Sequence, residues 1–180
     1  MGDTATSLLL AVRTAGNGAA AIKLEEILIE LAPIATDELC ALVGELDQAL
    51  SVEYLPEQRH GLAFDAIFQP HVRFFLARLG GTAVGCGGVA LYSDFAEVKR
   101  MYVRDIARGR GVARAMCAHS LAHARARGFR AMQFNFVVGS NTRAVALWQS
   151  LGFEIVGRLP EAFDHPRLGL VDAVVMYRML

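Results

Sequence analysis

The sequence predicts an α/β protein built on one mixed sheet, and three stretches predict it. Ala96 to Val103 mixes apolar and polar residues with β-branched and aromatic members, as a strand does, and runs through a glycine-bearing loop into an amphipathic helix. His71 to Leu79 and Thr82 to Leu91 flank Gly80-Gly81, a two-residue hairpin signal. Ala131 to Val138 is an apolar run followed by Asn141, a helix cap, and a further helical pattern.

Taken in order, Met1 to Lys23 is rich in small residues and reads as a flexible extension (1–24), with a short helix over Thr6 to Arg13 as the other reading. The folded domain then covers 25–180. Glu25 to Leu31 reads as the first strand, and Thr36 caps a helix from Asp37 to Leu50 that carries Leu39, Leu42, Val43, Leu46 and Leu50 on one face. Ser51 to Gly61 is a loop and Leu62 to Phe68 a short helix. After the hairpin comes the strand at Ala96, then a helix from Val112 to about Ala126 with Val112, Ala113, Met116, Cys117, Ser120 and Leu121 at helical spacing. Gly128 ends it. The helix after Asn141 stops at Gly152, a strand runs from Phe153 to Gly157, Arg158 to Gly169 is a loop with two prolines, and Leu170 to Met179 is the last strand. The order is β-α-α-β-β-β-α-β-α-β-β.

Composition narrows the function. With 180 residues and 54% hydrophobic content the chain supports a sizeable core. Lysine plus arginine equal aspartate plus glutamate at 18 each, so no global field favours nucleic acid. No apolar run is long enough to span a membrane, and the short apolar stretch Ser7 to Val12 lacks a preceding basic segment. Cys40, Cys86 and Cys117 are odd in number and set among apolar residues, which reads as buried thiols in a reducing compartment and a cytoplasmic protein. The five histidines show no metal-ligand spacing, and no metal is expected.

The chemistry centres on the glycine loop. A strand, a loop and a helix in succession aim the orphan amides and positive dipole end of the helix at whatever lies beyond the strand, which suits phosphate. Arg108, Arg110 and Arg114 add guanidinium donors, while Gly109 and Gly111 let the backbone approach closely. Arg114 stands where a dinucleotide fingerprint needs its third glycine, and no Gly-Lys-Ser/Thr is present.

What fits is Arg108-x-x-Gly111-x-Ala113, which resembles the pyrophosphate-binding signature Gln/Arg-x-x-Gly-x-Gly/Ala of the GNAT superfamily of acetyl-CoA-dependent N-acetyltransferases. Asn141-x-x-Ala144-x-x-Leu147-Trp148, followed by Leu151-Gly152-Phe153, is similar to a second motif of that family, and the element order from Glu25 to Leu180 matches its fold. The resemblance implies acetyl-CoA as the coenzyme, held by amides of Arg108, Gly109, Arg110, Gly111, Val112 and Ala113. It implies a pantetheine arm along Met101, Tyr102 and Val103, and Asn141 and Trp148 near the thiol end. It also implies acetyl transfer by direct attack onto an amine, and dimerisation is common in the fold.

An ammonium acceptor must lose a proton before it attacks. Glu97, eleven positions before Arg108, resembles in placement the glutamate base of histone-modifying members; Asp94, His60 and Glu53 are weaker alternatives. Trp148 departs from the family, many of whose members carry a tyrosine there to protonate the thiolate. Indole has no proton to give at neutral pH, so Tyr102 or solvent would finish the reaction. Asn135 interrupts an apolar strand, and with Trp148 and Val171-Asp172-Ala173 it resembles fungal acetyltransferases of imino acids, where a strand asparagine contacts the substrate carboxylate. Arg59, His60 and Asn135 are the acceptor-binding candidates. The acceptor implied is a small amine of amino-acid, imino-acid or polyamine type. A polypeptide amine, or a non-catalytic acyl-CoA-binding module, is the alternative. Tyr54 or Phe163 closing the acceptor side would favour a small molecule.

Overall fold

A computed structural model describes residues 6–11, 24–54 and 62–180. The elements are Thr6–Ala11 (β1), Leu24–Leu31 (β2), Asp37–Glu53 (α1), Val72–Leu79 (β3), Thr82–Leu91 (β4), Ala96–Val103 (β5), Val112–Ala126 (α2), Ala131–Val138 (β6), Thr142–Ser150 (α3), Glu154–His165 (β7) and Gly169–Met179 (β8). They form one eight-stranded sheet in the order β1-β2-β3-β4-β5-β6-β8-β7. Every neighbouring pair is antiparallel except β5 with β6, which run parallel.

The helices cover opposite faces of this sheet. α1 buries Leu39, Leu42 and Val43 against Phe74, Leu76, Ala83 and Cys86. α2 buries Val112, Ala115, Met116, Cys117 and Leu121 on the other face with Val89, Val98 and Val103, joined there by Trp148 and Phe153. Each such large side chain contributes about 1.5–3 kcal/mol of burial. The alternation of strand residues decides which side chain meets which helix.

Three expectations need correction. Thr6–Ala11 is a strand rather than a short helix, and it pairs with β2 over Thr6↔Ile29 to Ala11↔Leu24, so part of the expected extension is joined to the sheet. Leu62 to Phe68 contains only a 3₁₀ turn, Asp65–Phe68. The expected loop from Arg158 is strand as far as His165. Pro160 is tolerated because β7 is the edge strand and bulges there: Leu159 pairs with Ala173 and Phe163 with Val171, so three residues oppose Asp172. Asp172 fixes this bulge by accepting from the amide of Glu161 at 3.1 Å and from Arg158 at 2.8 Å. Glu161 sits at a left-handed φ of 52°.

The feature that matters most for function is where β5 and β6 part. Their pairing is confined to Ala96↔Met132 and Glu97↔Gln133. Just beyond, β5 bulges: Lys99 to Tyr102 span three steps against two from Gly88 to Cys86, with Arg100 at a φ of 51°. β6 bulges at the same level, because Phe134 and Val137 pair with Met176 and Val174. Two bulges bend the adjacent strands apart, and the sheet opens into a V. The glycines of β4 let the neighbouring strands pack closely: a Cβ at Gly88 would lie 2.8 Å from the Phe74 ring, and one at Gly87 would lie 3.0 Å from Met101 at the bulge.

Candidate active site

The V has an anion-ready wall on one face of the sheet. α2 starts at Gly111, whose φ is 84°, with no side-chain cap and no acidic residue in its first turn. The first backbone bond into the helix runs from Ala115 to the Gly111 carbonyl, so the amides of Val112, Ala113 and Arg114 precede the ladder. Gly109, at a φ of 75°, completes the tight loop. Arg108 lies at this end with its Nε donating to the Val103 carbonyl at 3.2 Å and its guanidinium 2.8 Å from Asp105. Arg110 is half-buried in the loop. Arg114 reaches the end of α3 and donates to Ser150 Oγ at 2.8 Å. A helix start without carboxylates, flanked by guanidinium groups, is an arrangement that a pyrophosphate fits.

Along the V, β5 offers backbone. Val103 is core and Met101 packs on it, so these residues have only main-chain groups to present. From Val98 onward the β5 edge toward β6 carries no ladder partner, which leaves donors and acceptors for another extended chain.

The opposite face carries charge. Glu97 is 8% exposed and its Oε1 lies 2.7 Å from Lys99 Nζ. Arg100, with a side chain only 7% exposed, donates to the Leu62 carbonyl at 2.6 Å and pairs with Asp47 of α1 at 2.5 Å; its Nε is buried without a partner. Arg104 pairs with Glu45 of α1 at 2.6 Å and also donates to the Ala83 carbonyl. These bonds hold the Glu45 carboxyl below its ordinary range. α1 is thus tied to β5 on one arm of the V. At its far end, Tyr54 packs on Phe163 at 5.7 Å and edge-on to His165 at 6.5 Å, both on β7. His165 is buried, and its Nδ1 accepts from the amides of Arg167 and Leu168. α1 therefore bridges the two arms.

The remaining candidates are placed as follows. Tyr102 is on the α1 face, where its hydroxyl donates to Glu45 at 3.3 Å; burial and that carboxylate push its pKa up. The Trp148 indole is a core group, 3% exposed and packed against Phe134 and Phe153, rather than a group facing a thiol. Asn141 caps α3 by accepting from Ala144 at 3.1 Å. Asn135 lies in the β6 bulge, at the level where the strands part. Arg59 and His60 fall outside the described residues, and Glu53 is described by backbone alone. Cys40 is exposed, whereas burial pushes Cys86 and Cys117 up to about 12, which leaves both as inert thiols. Among the described residues no group of three metal-ligating side chains converges, and no helix is long and apolar enough to cross a membrane. Lys99, Glu45 and Asp47 were not singled out from sequence, although the i, i+2 spacing of Glu97 and Lys99 on a strand was a readable signal.

A splayed parallel strand pair with an uncapped helix start beyond it sets unpaired main-chain groups beside a helix end suited to an anion. The chain belongs to the acetyltransferase (GNAT) family, whose model matches residues 39–153. It is 37% identical over 119 residues, 65% of this chain and 77% of the relative, to an IAA acetyltransferase of Azospirillum brasilense. A GCN5-related N-acetyltransferase from Kribbella flavida matches 84% of this chain and 98% of its own, with 32% identity and a TM-score of 0.68. A putative acetyltransferase from Salmonella typhimurium, solved with its cofactor acetyl-CoA, matches 86% and 94% at 19% identity and a TM-score of 0.63. The protein is an acetyltransferase, and its coenzyme is acetyl-CoA.

Proposed function

We propose that this enzyme acetylates the amine of a small molecule by direct attack, with Glu97 as the base. The observation that carries the small-molecule reading is the α1 bridge: Tyr54 against Phe163 and His165 on one arm, Asp47 and Glu45 against Arg100 and Arg104 on the other. A polypeptide needs an open groove across the V, and this bridge supports a closed acceptor side instead.

Acetyl-CoA supplies an acetyl thioester. The loop amides from Arg108 to Ala113, with Arg108 and Arg110, hold its pyrophosphate end, and the unpaired edge at Met101, Tyr102 and Val103 aligns its arm. Fixed amide donors at the β5 bulge stabilise the charge that develops on the carbonyl oxygen. Glu97 lies at the root of the V and accepts the ammonium proton, directly or through a water. Asn141 contributes its amide N–H groups to the arm while its oxygen caps α3. Tyr102, engaged by Glu45, is assigned no proton transfer, so the leaving thiolate is protonated by the amine or by solvent.

The test is thiol release from acetyl-CoA across amino acids, imino acids, polyamines and short peptides, with Glu97→Gln beside wild type. We expect turnover of small amines, and a loss of about 10²–10⁴ in kcat/KM in the variant with unchanged coenzyme binding. Turnover of peptides alone would overturn the small-molecule reading, and an unimpaired variant would remove Glu97 from the mechanism.

A further inference from the structure

The charges around Glu97 point to a narrower acceptor class. β5 and its α1 partners bring together three carboxylates, Glu45, Asp47 and Glu97, and three cations, Lys99, Arg100 and Arg104. Two cations have counter-ions that take no part in chemistry: Arg104 is held by Glu45, and Arg100 by Asp47 and the Leu62 carbonyl. Lys99 is different. Its one ion-pair partner among the described residues is Glu97, and both side chains are largely buried, at 15% and 10% exposure. On the β4 side Lys99 pairs with Gly88, over which the Phe74 ring lies, so that flank offers no side-chain acceptor.

Proton transfer then creates an imbalance. When Glu97 takes a proton from the acceptor ammonium it becomes neutral, and Lys99 is left as a buried cation with no counter-ion. Such a charge is strongly unfavourable, and the reaction is opposed unless something replaces the lost anion. A simple amine or a polyamine brings no anion and adds a like charge beside Lys99. An acceptor with a carboxylate next to its amine supplies what is missing.

We infer that the acceptor is a zwitterion of amino-acid type, its ammonium directed to Glu97 and its carboxylate to Lys99. This rests on the small-amine reading above. The ammonium gives one proton to Glu97, and the nitrogen lone pair forms the N–C bond to the acetyl carbonyl carbon. The C–S bond breaks with its electron pair going to sulfur, and the second nitrogen proton ends on the thiolate, directly or through water. Lys99 keeps a carboxylate partner throughout: first that of Glu97, then that of the acceptor.

The experiment compares kcat/KM for an amino acid, its carboxamide and its decarboxylated amine in wild type, Lys99→Met and Lys99→Arg. Each ratio is taken within one enzyme sample, so a partly unfolded variant does not distort it. Wild type is expected to prefer the amino acid by about tenfold to a hundredfold, the scale of one hydrogen bond to a charged group. Lys99→Arg keeps the preference and Lys99→Met brings the ratio near one. Equal turnover of the three acceptors by wild type, or a preference that survives Lys99→Met, would overturn the carboxylate assignment while leaving transfer to small amines standing. No turnover of any amine, with coenzyme binding intact, would overturn both.

Discussion

α3 and α2 begin alike in sequence and differently in structure. Both follow a strand and a short glycine-bearing connection, and both start beside the opening of the sheet. At α3 the Asn141 side chain accepts from the Ala144 amide, and at α1 Thr36 does the same for Leu39, with Asp37 and Glu38 in the first turn. At α2 there is no cap and no acid; the neighbours are Arg108, Arg110 and Arg114. Basic residues at a helix start oppose the macrodipole, and Gly111 leaves the first amides without a side-chain acceptor, at a cost of about a few tenths of a kcal/mol. Two local rules are broken at the one helix start that a pyrophosphate needs, and an anionic ligand repairs both. Helices that only support the fold are finished by their own residues, whereas the working helix is finished by what it binds.

The largest expected break of this contrast is Arg114→Glu. A carboxylate in the first turn of α2 suits the dipole and offsets the lost bond to Ser150, so stability stays within about 1 kcal/mol. Coenzyme binding falls about a hundredfold, the scale of a lost charge-assisted hydrogen bond with added repulsion. Calorimetric titration with coenzyme A beside a thermal melt measures both; affinity that holds would mean that no phosphate sits there. Next comes Asn141→Asp, which keeps an accepting oxygen for the cap and removes the donating amide. Its melt should match wild type while coenzyme affinity drops about tenfold. Thr36→Ala is the opposite case, losing about 1 kcal/mol in a denaturant titration with affinity untouched.

The smallest effect concerns pH. Arg104 holds the Glu45 carboxyl below its ordinary 4.5, so this pair's stabilisation is fully present above that value. It is lost as pH falls through the lower value of the folded state. Wild type should therefore lose stability more steeply in acid than Arg104→Met in matched urea titrations. Parallel slopes would show that the Arg104–Glu45 pair adds nothing to the hold of α1 on β5.

Local signals carried most of the fold. Gly80-Gly81, Thr36, Asn141 and the spacing of Val112, Met116 and Leu121 each belong to one element, and each was legible in the sequence. One strand, and the second half of another, were not. Thr6–Ala11 stands among small residues that dilute its β signal, and it gains its conformation from pairing with β2. Pro160 reads as a break until β7 is known to be an edge with a bulge. The glycine loop was legible as a phosphate site because its chemistry lies in consecutive residues. The charges opposite were not, since Arg100 meets Asp47, and Arg104 meets Glu45, only when α1 crosses the sheet. Trp148 could be assigned to a helix from sequence, but its place between Phe134 and Phe153 depends on the tertiary fold.

The two residue pairs that join β5 to β6 have a further consequence. Main-chain bonding makes the eight strands two smaller sheets, β1 to β5 and β6-β8-β7, meeting at a seam. Arg114 of α2 reaches across the seam to Ser150 at the end of α3, and Arg178 of β8 braces the second half by donating to the Leu151 carbonyl. One hydrophobic cluster spans both halves, so the seam amides of β5 are expected to open first in native-state hydrogen exchange while the core holds the halves together. A coenzyme lying along the seam couples the halves, as an added strand would. At a concentration one hundred times its Kd it stabilises the protein by about 2.7 kcal/mol, and slowed exchange at Val98 to Val103 is where that would register.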